Sequence, residues 1–128
     1  MSRNKATRNA ERSLEACKRE WMVGHGLDRC ALSARPEADL AHLRDKTGMA
    51  IKPEPWLTLP LDRALHDVQE TGGRQFWVDA GLPLYEDHAA ELHAAFLTGN
   101  AEFADALLRA THDNANLDFL ATILRKAA

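Results

Sequence analysis

The chain has 128 residues, 45% hydrophobic and 27% charged, a balance that supports one packed domain over residues 1–128 and excludes wholesale disorder. Its net charge of -3 argues against a protein that coats nucleic acid uniformly. The polar, basic start "MSRNKATRNAERS" contains no apolar run of the kind a signal peptide needs, and no later stretch approaches a membrane span, so a cytoplasmic setting without membrane contact is expected.

Residues 5–23 read as a helix, with Ala10, Leu14, Cys17 and Trp21 recurring at four, three and four along one apolar stripe. This expectation makes Cys17 a small buried hydrophobe. "GHG" at positions 24–26 ends the helix and the N-terminal part, 1–26. The segment is basic, with Arg3, Lys5, Arg8, Arg12, Lys18 and Arg19 outnumbering Glu11, Glu15 and Glu20. After Trp77 acidic residues dominate, so a local contact with a polyanion is allowed near the start, although two solvated helical faces explain the asymmetry equally well.

From 27 to 60 the chain carries four of its five prolines and no sustained helical period. "EADLAHL" and "WLTLPL" are expected to supply short extended pieces around the loop "RDKTGMAIKPEP". Asp62 is the expected N-cap of a helix over 63–71, closed by Gly72 and Gly73, with a short apolar segment "QFWVDAGLP" behind it. Three helices then follow, over 85–97, 101–111 and 116–126. Their inward residues are expected to be Ala89, Leu92 and Phe96, then Phe103, Leu107 and Leu108, then Leu117, Leu120 and Leu124, with Asn116 as a cap. The fold class is therefore α+β and mostly α, with an N-terminal helix, a small ββα module over 27–82 and a C-terminal bundle of about three helices over 83–128.

Two cysteines in that compartment do not predict a disulfide framework. Six histidines raise the question of a metal. His88 and His93, five apart on a helix, do not share a face. His112 lies at a helix C-terminus, where a positive charge complements the dipole, and His25 sits in a glycine turn. Cys30, His42, Asp62 and His66 are different: a loop cysteine, a strand histidine and the start of the next helix form the layout of a zinc-stapled ββα module. The second cysteine of a C-x-x-C is missing, because Ser33 stands there. Two readings stay open at this point, a metal held by these four residues and a hydrogen-bonded histidine pair in a small core.

Several features recur in order over residues 21–82. They are "CALS" preceded by a helix, "AHLR", "TGMAIKP", a tryptophan before "LPL", a helix with His and Gln, and "FW" before "AGL". This order resembles phage nucleases of the recombination-enhancement type, RecA-dependent enzymes of the HNH-like (His-Me finger) class. The resemblance implies a degenerate HNH-like module. Where the family has C-x-x-C this chain has Cys30 and Ser33, where it has a cysteine after "PL" this chain has Asp62, and where it has paired histidines this chain has Leu65 and His66. His42 falls on the family's "AH" histidine, a position the resemblance places near the catalytic metal.

What the resemblance implies about function is a phage- or prophage-derived pseudo-nuclease, acting in the host cytoplasm by binding DNA, a nucleoprotein complex or a host defence protein. Arg8, Arg12, Lys18, Arg19, Arg44, Lys46 and Lys52 are the expected contacts, and no cofactor is expected. The alternative is a residual metal-dependent endonuclease with His42 as general base and His66, with Asp62 or Asp67, holding zinc or magnesium. A third reading is a module that only pairs with a copy of itself, since the sequence does not set the oligomeric state.

Overall fold

The computed structural model describes residues 5–43 and 57–127, with side chains from 13 to 126. Helix α1 (Lys5–Gly24) opens the chain, and its last turn closes where the Leu27 amide donates to the Met22 carbonyl at 2.7 Å, with Gly26 at φ +67. The inward face of α1 runs through Leu14, Lys18, Trp21 and Met22, a seam of i, i+4, i+7 and i+8. Cys17 is therefore exposed, contrary to the sequence expectation. The helix is turned by about one residue, because Met22 and the methylene stem of Lys18 fill the core side where the sulfur was expected.

The irregular stretch after α1 is held by its backbone. The Ala31 amide donates to the Pro60 carbonyl and the Ala38 amide to the Asp28 carbonyl, each at 2.8 Å. β1 (Asp39–His42) and β2 (Thr58–Leu61) then pair antiparallel, with Asp39 opposite Leu61 and His42 opposite Thr58. These are the two extended pieces expected within "EADLAHL" and "WLTLPL". All four β2 residues are buried, and Pro60, which has no N–H, contributes its carbonyl to Ala31.

α2 (Arg63–Asp79) starts where Asp62 caps it by accepting from the Ala64 amide at 3.1 Å. It does not stop at the glycine pair. Gly73 alone leaves helical geometry, at φ +57 and ψ -139, and the chain then resumes as helix through Phe76 and Trp77, both buried. The apolar segment expected after the glycines is thus the second half of a kinked helix. Glycine tolerates the positive φ, and burial of two large aromatic side chains favours resuming the helix beyond it.

α3 (Tyr85–Thr98) packs on α4 (Ala101–Asp113) and on β2, while α5 (Leu117–Ala127) packs on α2. Gly99 ends α3 in the left-handed region, and Asn100 and Asn116 accept from the Phe103 and Phe119 amides as helix caps. The inward face of α4 is Ala104, Leu108 and Thr111, so Phe103, expected inside, is exposed, as is Leu117 on α5. Trp77 stacks on Tyr85 at 5.3 Å in a core that runs continuously from Met22 to Leu120.

The α2–α3 turn meets the α4–α5 turn through main-chain groups and through the Asn116 side chain, which donates to the Asp79 carbonyl at 3.2 Å. The Asn116 amide donates to the Ala80 carbonyl at 2.8 Å, and a Cβ on Gly81, at φ +87, would lie 2.9 Å from the Asn114 carbonyl oxygen. The architecture is α+β and mostly helical, five helices around one two-stranded sheet among the described residues. No helix among those residues is long and apolar enough to cross a membrane.

Candidate functional site

The four residues of the metal-type layout are each engaged elsewhere. Cys30 is buried in a tight turn, where its Sγ accepts from the Ser33 amide at 3.3 Å and its backbone amide donates to the Arg35 carbonyl at 2.8 Å. Asp62 serves the α2 cap and pairs with Arg35 at 3.2 Å. His42, the last residue of β1, places Nε2 2.7 Å from Glu15 Oε1 on α1, and its carbonyl accepts from Gln69 Nε2 at 2.9 Å. His66 stands on α2 with Nε2 3.3 Å from Glu70, while its Nδ1 is buried without a hydrogen-bond partner among the described residues, 3.7 Å from Asp39. The sequence pairs His42 with His66, whereas the structure gives each histidine a carboxylate of its own. Among the described residues no group of three or more His, Cys, Asp or Glu is arranged to hold a metal ion.

A polar knot lies behind the Glu15–His42 contact. Lys18, expected among the surface cations, is 0% exposed. Its ammonium donates to Thr58 Oγ1 at 2.7 Å and lies 3.2 Å from His93 Nδ1 on α3. An ammonium only donates, so Nδ1 of His93 is the acceptor and its ring is neutral with the proton on Nε2. Burial pushes Lys18 from 10.5 down to about 8, with Glu15 pulling in the opposite direction. Burial, and then the Lys18 charge, holds His93 below the usual histidine range. The surface role expected of Lys18 is corrected accordingly: its charge is enclosed and bonded internally.

Of the other expected contact residues, Arg19 is exposed on α1, beside Leu40 and Pro60 of the two strands. Positions 8 and 12 belong to α1. Arg44, Lys46 and Lys52 lie outside the described residues.

One cleft went unanticipated by the sequence. It encloses about 250 Å³ between the turn carrying Arg29, Cys30 and Ala34 and the last turns of α4, with Leu108, Arg109, His112 and Asp113. Asp105 on α4 receives Arg29 through one carboxylate oxygen and Arg109 Nε through the other, the latter at 2.8 Å. The bond from Arg109, with that from Arg29 behind it, holds the Asp105 carboxyl below its ordinary range. His112 was expected to complement the α4 dipole. It lies in that last turn, and its Nδ1 donates to the Leu32 carbonyl, which fixes the tautomer and anchors the turn to the helix. Arg29 and Asp105 are 76 positions apart, and no short-range signal joins them.

No protein-family model matches the chain, and no curated protein or solved structure matches it either.

Proposed function

We propose that the chain is a DNA-binding module built on a degenerate, nuclease-type ββα unit, and that it works by binding rather than by cleavage. The observation that carries this reading is the 2.7 Å contact between Glu15 and His42. It engages Nε2, one of the two ring nitrogens of the histidine on which hydrolysis would depend. It also fastens the end of β1 to one particular face of α1. Positions 8, 12, 15 and 19 recur at four, three and four, so Arg8, Arg12 and Arg19 share that face with Glu15. The segment leaving β1 brings Arg44, Lys46 and Lys52 in sequence directly after His42. A cationic helix face suits the phosphate backbone, and the acidic second half of the chain accounts for the negative total. The resemblance of residues 21–82 to phage recombination-enhancement nucleases supports DNA, alone or within a nucleoprotein complex, as the ligand.

Fluorescence anisotropy with a labelled duplex, read across a salt series, tests this. Binding is expected to weaken steeply with salt, and replacing Arg8, Arg12 and Arg19 together with glutamine lowers the log–log slope by about 2–3. Absence of salt-dependent DNA binding, with a stoichiometric host protein recovered instead, overturns it.

A second reading, a residual metal-dependent endonuclease, draws on the same contact, since a carboxylate beside an imidazole also orients a general base. Metal-stimulated nicking that His42→Ala abolishes would support it, and no cleavage with magnesium, manganese or zinc would remove it.

A further inference from the structure

We infer that the Lys18–His93 contact is an acid-sensitive latch for α1: a proton on His93 releases that helix from the rest of the fold. The inference concerns the fold alone and stands whether or not the chain binds DNA.

Few groups seat α1. The closely packed pairs of elements among the described residues are β1 with β2, α3 with α4 and β2, and α2 with α5 and β1, and α1 belongs to none of them. Between positions 13 and 24 only Lys18 and Met22 are buried. Half of the buried anchor is therefore a cation. Thr58 and His93 accept from its ammonium, and neither is a carboxylate. A helix held so sparsely can open as a unit while the remainder stays closed.

The seat takes one positive charge. A proton on His93 removes the acceptor at Nδ1 and sets a second cation 3.2 Å from the first, with both side chains enclosed. Glu15, which attracts the ammonium from one turn earlier on α1, is already bonded to His42 of β1. β2 offers the uncharged Thr58 hydroxyl, and α4 turns Asp105 to Arg29 and Arg109. On α3 itself, His88 bonds to Thr111 and Glu86 pairs with Arg74 of α2, while the exposed His25 lies against Trp21. Protonating His42 would tighten its contact with Glu15, but that pair is partly exposed and worth little beside the enclosed one. Burial, and then the Lys18 charge, holds His93 below its ordinary 6.5, so the released helix leaves a histidine that protonates first. Seating of α1 is therefore complete above that pH and weakens as pH falls below it.

Amide hydrogen exchange read by NMR on the full chain tests this between about pH 7.5 and about pH 5.5, a range in which ordinary carboxylates stay charged. Protection over residues 17–24, corrected for the intrinsic rate, is expected to fall at least about tenfold, while Trp77 and Leu108 keep theirs. His93→Asn places an amide oxygen near the position of Nδ1 and does not titrate, so the fall disappears. Lys18→Met removes the neighbouring charge and leaves burial alone to oppose the proton, so the fall shrinks. The inference is overturned by steady α1 protection in the parent, by protection lost equally in all five helices, or by a fall that keeps its size in either variant. If His93→Asn does not fold, the comparison with Lys18→Met decides alone.

Discussion

Replacing Lys18 with methionine is expected to stabilise the chain. A fall from 10.5 to about 8 on folding means that the charged ammonium is disfavoured inside by about 3 kcal/mol. The hydrogen bonds to Thr58 and His93 return about 1 kcal/mol each, and removing the lysine forfeits both and strands a buried hydroxyl and a ring nitrogen. Methionine matches the stem in length and fills the same space against the core. The net gain at neutral pH is about 1 kcal/mol. The pH dependence supplies an independent check. The folded-state pKa lies below the unfolded one, so between pH 8 and 10.5 the unfolded chain holds a proton that the folded chain has released. Rising pH therefore favours folding through that window, by up to about 3 kcal/mol, and the penalty is fully present below it. Urea unfolding at closely spaced pH values should show this rise in the parent minus the variant, which cancels other alkaline groups. A flat difference, together with a loss of more than about 2 kcal/mol in Lys18→Met, would refute the reasoning.

Gly81→Ala places a Cβ within 2.9 Å of a backbone carbonyl at φ +87, and calorimetry should find the Tm lowered by roughly 5–15 °C. Asp62→Ala removes a helix cap and an exposed ion pair and should cost about 1 kcal/mol in urea unfolding, whereas Asp62→Asn, which keeps the cap, stays within a few tenths. A neutral thiol reagent should titrate Cys17 alone in the native chain, and Cys30 only after unfolding.

The features legible in the sequence were those fixed by near neighbours. Asp62 and Asn116 announced helix starts because a cap needs only the next turn. The two short strands showed in their apolar runs. The rotation of α1 was not legible, since it depends on Thr58 and His93, forty and seventy-five positions from Lys18. A lysine in an apolar seam reads as surface until its distant partners are known. Gly72 and Gly73 misled for a related reason: local propensity says stop, while Phe76 and Trp77 gain more by packing against α5 and Tyr85. Spacing that set Cys30, His42, Asp62 and His66 in one frame could not reveal that Glu15 would take His42, Arg35 would pair with Asp62, Asp39 and Glu70 would flank His66, and Cys30 would close a turn with Ser33.

The crossing of the two turns at Ala80 and Asn116 bears on how this chain tolerates change in length. Contacts between side chains drift and repack as residues are exchanged, but here the only side chain that bonds across is that of Asn116, and every acceptor is a main-chain carbonyl, so the junction is sensitive chiefly to the number of residues in each turn. One residue added to or removed from either turn would carry the amide past its carbonyl. Insertions and deletions in the helical half should therefore be rejected at these two turns and accepted more readily at the α3–α4 turn, where a Cβ on Gly99 would meet nothing within 4 Å.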